Sequence, residues 1–340
     1  MSGEAENGAD GAPIAVLGAG SWGTALAIQF ARTGHPTLLW GRDPAALAVL
    51  GRERVNARYL PGAAFPPALD VEPDLARAVA RATDVLIAVP SRAFRATLSA
   101  LKPLLAPGQR VAWATKGFEL DTGRLPHEVA REVLGPGVPV AVLSGPTFAA
   151  EVGRGLPTAM TVASPDGAFA DDLAQTLSGE KFRAYTSPDI IGVEVGGAVK
   201  NVLAIGTGIA DGMGYGANTR IALITRGLAE MTRLGLALGA RRETFMGLAA
   251  LGDLVLTCTD DQSRNRRFGL AIAAGRSPAE AAAAIGQVVE GALAARAVRA
   301  VARRVHVEMP IAEQVYAVLH EGRDVREAVR ALMARELREE

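Results

Sequence analysis

The stretch Pro13-Ile14-Ala15-Val16-Leu17-Gly18-Ala19-Gly20-Ser21-Trp22-Gly23-Thr24-Ala25 decides the fold. Residues 13–17 are a short apolar run of strand type. Residues 24–32 are rich in Ala, Leu and Ile, as a helix is, and Gly34 is placed to cap its C-terminus. Between the two, Gly18, Gly20 and Gly23 make the spacing G-x-G-x-x-G. Gly18 permits the tight turn, Gly20 lets the backbone approach a pyrophosphate, and Gly23 lets the helix pack on the strand. The free N–H groups and positive dipole of the helix N-terminus favour phosphate there. A glycine triplet alone is a weak signal. The strand before it and the helix after it predict a dinucleotide-binding turn.

Working outward, a second strand over 37–40 ends at Gly41-Arg42-Asp43. Asp43-Pro44 reads as a helix start, with Asp as N-cap and Pro at the first position. That leaves Arg42, 22 positions after Gly20, to clamp a ribose 2′-phosphate or to stand as a solvated surface cation. Further strands are expected over 84–90, 110–115 and 138–143, with helices over 91–105 and 124–134 between them. Strands alternating with helices predict a doubly wound parallel sheet. Ligands bind beyond the carboxyl ends of such strands, where Pro90, Lys116 and Ser144-Gly145-Pro146-Thr147 fall. After residue 187 the pattern changes to helices over 189–210, 220–239, 264–274, 277–285, 290–304, 311–321 and 325–336. The expected organisation is a disordered tail over 1–12, a Rossmann-like domain over 13–187 and a helical domain over 188–336.

Composition excludes several classes. The chain has 340 residues, 36 basic and 36 acidic side chains, 49% hydrophobic and 21% charged residues. At about 100–200 residues per domain it has room for two. Zero net charge argues against a general nucleic-acid or membrane-surface binder. Cys258 is the only cysteine, so internal disulfides and cysteine zinc clusters are excluded, and the four histidines are scattered. No metal is expected. Cys258 in Leu-Thr-Cys-Thr reads as a small core residue. No long uncharged apolar run reads as a membrane span. The acidic start, Met1 to Asp10, is unlike a signal peptide, so a cytoplasmic protein is expected.

Four of the basic residues are lysines, Lys102, Lys116, Lys181 and Lys200, and 32 are arginines. A lysine in such a chain can mark a need for an amine that gives up its proton. Lys116 follows a strand end in Thr115-Lys116-Gly117. Lys200 lies in a long helix, in Glu194-Val195-Gly196-Gly197-Ala198-Val199-Lys200-Asn201, where the glycines leave its face uncovered. It either serves chemistry or snorkels outward. Asp253, in Leu251-Gly252-Asp253-Leu254, is an acid in an apolar run and needs a cationic or hydrogen-bonding partner. Ser263-Arg264-Asn265-Arg266-Arg267 opens a helix with a hydroxyl, guanidiniums and an amide suited to phosphate, or simply forms a solvated basic helix start. Gly286-Gln287-Val288-Val289-Glu290-Gly291 places an acid beside glycines ahead of a helix.

Taken together, these motifs resemble the bacterial NAD(P)-dependent glycerol-3-phosphate dehydrogenases. The resemblance is carried by Gly18–Ala25, Val89-Pro90-Ser91, Thr115-Lys116-Gly117, Ser144-Gly145-Pro146-Thr147-Phe148-Ala149, Val199-Lys200-Asn201, Gly252-Asp253-Leu254, Ser263-Arg264-Asn265 and Val288-Val289-Glu290-Gly291, in that order. It implies a Rossmann domain followed by an all-α domain, with the active site in the cleft between them. It implies interconversion of dihydroxyacetone phosphate and sn-glycerol 3-phosphate, in the cell toward glycerophospholipid precursors. By position, Gly18, Gly20, Ser21, Trp22, Gly23, Arg42, Lys116, Ala149, Arg264, Val288 and Glu290 match cofactor contacts for NADPH or NADH. Lys116, Gly145, Thr147, Lys200, Asp253, Ser263, Arg264 and Asn265 match substrate contacts, and Lys200 matches the proton acceptor. The expected partners are these small molecules and a second copy in a homodimer, with no nucleic acid and no membrane insertion. Two rival readings are a 6-phosphogluconate or 3-hydroxyacid dehydrogenase, which share the build and the helical lysine, and a non-enzymatic dinucleotide sensor. The Gly252-Asp253 and Ser263-Arg264-Asn265 motifs look like the glycerol-phosphate pattern, and a sensor has no need of Lys200, Asp253 and Arg264 together.

Overall fold

The computed structural model describes residues 11–286 and 288–334. Most of the expected tail over 1–12, the end of the expected helical domain at 335–336, and Gln287 lie outside the described residues. The chain divides into two compact units. One takes the chain up to Thr115 together with Ala130–Leu143 and Thr147–Pro188. The other takes Lys116–Val129, Ser144–Pro146 and the chain from Asp189 on, so two short segments that precede 188 in sequence belong to the helical unit.

The strands are β1 (Ile14–Leu17), β2 (Thr37–Trp40), β3 (Val55–Asn56), β4 (Leu60–Ala64), β5 (Leu69–Val71), β6 (Asp84–Ile87), β7 (Arg110–Trp113), β8 (Val140–Ser144), β9 (Thr158–Ala163) and β10 (Phe182–Ser187). Eight of them form one sheet in the order β10-β9-β8-β7-β6-β1-β2-β5. β1 pairs in parallel with β2 and β6, β6 with β7, β7 with β8, β2 with β5, and β9 with β10. This is the expected doubly wound sheet of Rossmann type. Its middle strands are mostly apolar because helices cover both faces: all four residues of β1 are buried, and the charges of β6 and β7, Asp84 and Arg110, stand at the strand starts and pair with each other. The β3–β4 hairpin is antiparallel and separate. It is short and carries Pro61 and Gly62, so its strand signal is weak in sequence.

The helices of the sheet unit are α1 (Ser21–Arg32), α2 (Pro44–Glu53), α3 (Leu75–Arg81), α4 (Ser91–Leu101), α5 (Pro126–Leu134), whose first turn belongs to the helical unit, α6 (Ala149–Arg154) and α7 (Gly167–Leu177). Those of the helical unit are α8 (Ile190–Gly212), α9 (Ala217–Ala237), α10 (Asp253–Thr259), α11 (Arg264–Ala273), α12 (Pro278–Ile285), α13 (Glu290–Arg304), α14 (Pro310–His320) and α15 (Val325–Met333). Helix ends shift by a few residues from those expected, with capping side chains at the junctions. Asp189 caps α8 by accepting from Gly192 N, and Ser277 with Glu280 forms a capping box on α12.

The helical unit is built around α8. A helix apolar on all sides is a core helix, and α8 is buried from Gly192 through Ile205 without interruption. It is the one described helix long and apolar enough to cross a membrane by length and composition, and 89% of its apolar window is buried inside the protein. α11 crosses it at glycine contacts: a Cβ on Gly208 would collide with the Arg266 carbonyl, and one on Gly269 with the Ile205 carbonyl. Each unit has its own apolar core, with Val16, Leu26 and Leu143 in one and Val202, Leu203 and Phe268 in the other. Truncating a fully buried residue such as Leu203 to Ala costs about 2–5 kcal/mol.

Candidate active site

The glycine turn of the sheet unit has the expected geometry. Gly18 has φ +129°, and a Cβ there would lie 2.5 Å from the Ala88 carbonyl oxygen. A Cβ on Gly23 would collide with the Gly18 carbonyl, so the third glycine is required for helix to meet strand. A Cβ on Gly20 meets nothing within 4 Å. Its open side is where a phosphate can reach the backbone. Gly20 is also the N-cap of α1 and makes no side-chain cap bond, so no side chain competes for the first N–H groups of the helix. Asn56, from the hairpin, braces the turn: its Nδ2 donates to Ala19 O at 3.0 Å and to Thr24 Oγ1 at 2.8 Å. Trp22 Nε1 and Ser144 Oγ are the buried side-chain polar atoms without a partner among the described residues. An open, backbone-lined turn at an uncapped helix start, beside an orphaned indole N–H, fits a nicotinamide dinucleotide. Asp43 caps α2 as expected, accepting from Ala45 N and Ala46 N at 3.0 and 3.2 Å, and Arg42 beside it is exposed. Thr147 and Ala149 are half-buried, with Ala149 the first residue of α6.

The helical unit holds an ion cluster. Asp253 is 1% exposed, and its two carboxylate oxygens take one lysine each. Lys200 Nζ donates to Oδ1 at 2.5 Å, and Lys116 Nζ donates to Oδ2 at 2.7 Å. Lys200 Nζ also donates to Thr257 Oγ1 at 3.0 Å, and that hydroxyl donates to the Asp253 carbonyl at 2.6 Å. An ammonium has three donors, so Lys200 keeps one N–H beyond these two bonds. Lys200 is 7% exposed and does not snorkel. Burial pushes its amine down from the ordinary lysine value to about 8. The Lys116 cation pushes the same way, and the Asp253 and Glu290 carboxylates oppose it. One carboxylate serves two cations, the buried Lys200 and the half-buried Lys116, because an unpaired charge in this environment would be costly.

A hydrogen-bonded chain adjoins the cluster. Asn265 Nδ2 donates to Asn201 Oδ1 at 2.9 Å, Asn201 Nδ2 donates to Glu290 Oε2 at 3.4 Å, and Gly291 N donates to Asn265 Oδ1 at 2.9 Å. Ser263 is the N-cap of α11 and accepts from Arg266 N at 3.2 Å, which leaves its O–H as a donor. Arg264 opens α11 half-buried, whereas Arg266 is buried and paired with Asp211 at 2.8 Å. Gly145 is buried after the end of β8, and Val288 and Glu290 are half-buried at the start of α13.

Of the residues expected from sequence, the structure thus joins Lys116, Lys200 and Asp253 directly, and Asn265 to Glu290 through Asn201. Sequence reasoning gave Thr257 no part, named Asn201 only within the Val199-Lys200-Asn201 motif without a role, and missed Asn56. Thr257 was findable: it lies four residues after Asp253, hence on the same helix face. Asn56 had no such signal, because its partner is a turn 37 residues away. Cys258 is fully buried, and burial pushes its thiol up to about 12, as suits an inert core residue.

The sequence profile described as NAD-dependent glycerol-3-phosphate dehydrogenase N-terminus matches residues 13–170, and that described as the C-terminus matches 189–330. A glycerol-3-phosphate dehydrogenase [NAD(P)+] of Aeromonas salmonicida is 58% identical over 333 residues, covering 98% of this chain and 100% of its own length. The chain belongs to the NAD-dependent glycerol-3-phosphate dehydrogenase family. A counterpart from Edwardsiella ictaluri is also 58% identical, over 97% of this chain and 98% of its own. The crystal structure of a glycerol-3-phosphate dehydrogenase from Coxiella burnetii superposes with a TM-score of 0.92 at 50% identity, covering 96% of this chain and 99% of that one. As a member of the glycerol-3-phosphate dehydrogenase family, the chain is an oxidoreductase with a nicotinamide cofactor. The rival readings as a 6-phosphogluconate or 3-hydroxyacid dehydrogenase, or as a sensor, give way to this match.

Proposed function

We propose that the chain interconverts dihydroxyacetone phosphate and sn-glycerol 3-phosphate, with Lys200 as the group that gives and takes the proton. The observation that carries this reading is a lysine buried in an apolar helix, held on a carboxylate, with its amine lowered to about 8. Bound NADH or NADPH supplies the redox chemistry at the substrate C2. In reduction, the Lys200 ammonium donates a proton to the C2 oxygen. In oxidation, the neutral amine removes the proton from the C2 hydroxyl. An amine that titrates near neutrality serves both directions, as a general acid–base group should. Asp253 orients the amine and keeps the ammonium form available, and Thr257 fixes its direction.

Gly18, Gly20 and Gly23 with Ser21 and Trp22 hold the cofactor pyrophosphate end, and Arg42 receives a 2′-phosphate where one is present. Lys116, Ala149, Arg264, Val288 and Glu290 complete the cofactor set. Ser263, Arg264 and Asn265 bind the substrate phosphate, for which a guanidinium fork and a helix start are well suited. Lys116, Gly145, Thr147 and Asp253 hold the three-carbon end. The working direction is reduction, feeding glycerophospholipid synthesis, in a cytoplasmic homodimer. The purified chain is tested for NADPH and NADH oxidation with dihydroxyacetone phosphate as acceptor, beside 6-phosphogluconate and 3-hydroxy acids with the oxidised cofactors. Turnover confined to the carboxylate substrates would sink the reading. Light scattering on the same sample reads the dimer.

A further inference from the structure

Of two adjacent glycines of α8, one turn before Lys200, one faces the backbone just ahead of Asp253 and the other faces the side chain of Lys116. A Cβ on Gly196 would lie 2.7 Å from the Ala249 carbonyl oxygen and 3.1 Å from both Cα and Cβ of Ala250. A Cβ on Gly197 would meet the Lys116 side chain at 3.4 and 3.5 Å and Ser144 Oγ at 3.5 Å, which are ordinary contacts with room to adjust. The two positions therefore differ in kind. At Gly197 the neighbours are side-chain atoms. At Gly196 the neighbour is backbone, which yields only if a whole segment moves.

That segment is a π-helical turn, Leu248–Gly252, which runs directly into α10 at Asp253. A π turn takes in one more residue than an α turn and so rotates everything after it, and such turns concentrate at functional sites. The residue next in line here is the acid that binds both lysines. Gly196 and Lys200 are four residues apart on one helix, hence on one face. The seat of the turn and the amine that Asp253 must reach are thus borne by the same rigid element.

We propose that Gly196 is a positioning residue for the reaction: by lacking a side chain it seats the Leu248–Gly252 turn against α8, and so aims the Asp253 carboxylate at the Nζ atoms of Lys200 and Lys116. The inference rests on the reading of Lys200 as the proton-exchanging group. The pair Gly196-Gly197 does not leave the lysine face uncovered. Gly196 admits the backbone that carries Asp253, and Gly197 lies against the stem of Lys116.

The sign of the expected effect follows from what faces Lys200. Asp253, Thr257 and Cys258 come from α10, Lys116 from the segment after β7, and Glu290 from the start of α13. Displacing Asp253 removes the larger of the two carboxylate effects that favour the ammonium, while burial and Lys116 still disfavour it. The Lys200 titration then moves to lower pH, and the proton donor for reduction is depleted.

The test labels the full chain with 13Cε-lysine. Its four lysines give four resonances, and Lys200→Met assigns the one of interest. In Gly196→Ala the Lys200 midpoint moves below its wild-type position, and kcat for dihydroxyacetone phosphate reduction at pH 8 falls by about tenfold or more, as displacements of an ångström in an active site do. NADPH affinity stays within about twofold, because no cofactor contact is removed. Gly197→Ala leaves the midpoint in place. If Gly196→Ala does not fold, Ala250→Ser enlarges the same contact from the other side and gives a smaller shift in the same direction. A folded Gly196→Ala or Ala250→Ser with an unmoved midpoint overturns the proposal, as does an equal shift in Gly197→Ala. A Lys200→Met variant that keeps its activity would instead remove the proton-exchange reading and leave the midpoint test standing, since the resonance is read without turnover.

Discussion

The Gly18–Gly23 turn and the Lys200 cluster are built by opposite means. The turn works with backbone: three glycines, a helix start without a side-chain cap, and a brace from Asn56. No charged side chain lies within it. The cluster works with charge, and its parts are remote in sequence, Lys116 lying 137 residues from Asp253 and Lys200 lying 53 from it. A backbone site is defined by local shape and survives changes in neighbouring charge. A charge cluster depends on burial and on every partner at once. The two regions should therefore fail differently, one in binding and one in turnover.

The sharpest separation is Lys200→Met. Loss of a positioned proton donor lowers kcat by about 10²–10⁴, while NADPH affinity measured by fluorescence titration should barely change. A variant within tenfold of wild-type kcat, on the scale of about 10²–10⁴ expected, would break the comparison by removing Lys200 from the chemistry. The mirror experiment is Gly18→Ala. A side chain at φ +129° and 2.5 Å from a carbonyl must displace the turn. Strain of about 1–3 kcal/mol is expected there, so NADPH affinity falls about tenfold or more, with a lower Tm. The 13Cε-lysine titration of Lys200 should keep its midpoint in that variant. A moved midpoint would mean the two regions are not separable.

Arg264→Ala sharpens the contrast within the proposed substrate contacts. Loss of a charge-assisted contact costs about 1.5–3 kcal/mol, so kcat/KM for dihydroxyacetone phosphate falls at least about tenfold. Unphosphorylated dihydroxyacetone, a poorer substrate from the start, should lose much less. Equal losses would assign Arg264 to the cofactor or the fold. The smallest effect is expected at Arg42, which is exposed. Arg42→Ala should raise KM for NADPH by up to about tenfold, the equivalent of one ionic contact, and leave KM for NADH nearly unchanged. Parallel losses would make Arg42 a surface cation.

The pH profile reads the cluster without any mutation. The Lys200 amine is lowered to about 8, so with Lys200 as the proposed proton-exchanging group the ammonium that reduction would use is lost above that pH, and the neutral amine that oxidation would use is gained. The reduction rate should fall, and the oxidation rate rise, as pH passes through about 8. The same depression has a stability consequence. The unfolded lysine keeps its proton up to its ordinary value of 10.5, so between about 8 and 10.5 the unfolded chain binds more protons and this group contributes rising stability with pH. Profiles for both directions centred near the ordinary lysine value would mean that the buried pair with Asp253 is tighter than the desolvation it suffers.

Much of this site was legible in the sequence because its motifs are short and each carries its reason locally. Asp253 announced its need for partners by standing in an apolar run, and the scarcity of lysine drew attention to Lys116 and Lys200. Asn56 was not legible in the same way, and the spacing of Thr257 from Asp253 gave its helix face but not its partner. Asn56 acts on a turn it reaches only through a hairpin of weak strand signal, and Thr257 looks like an ordinary helical threonine until Lys200 is beside it.

The sequence by itself determined the dinucleotide turn, the alternation of strands and helices, and the change to an all-helical second half. Those follow from residue type at fixed local spacing, through backbone conformation and hydrophobic period. Only the tertiary structure decided that Asp253 serves two lysines at once, that Gly196 faces a π turn rather than empty space, and that the segment bearing Lys116 belongs to the helical unit. Pairing of charges and close packing depend on which surfaces meet after folding. No spacing along a single segment encodes a contact made across more than fifty residues.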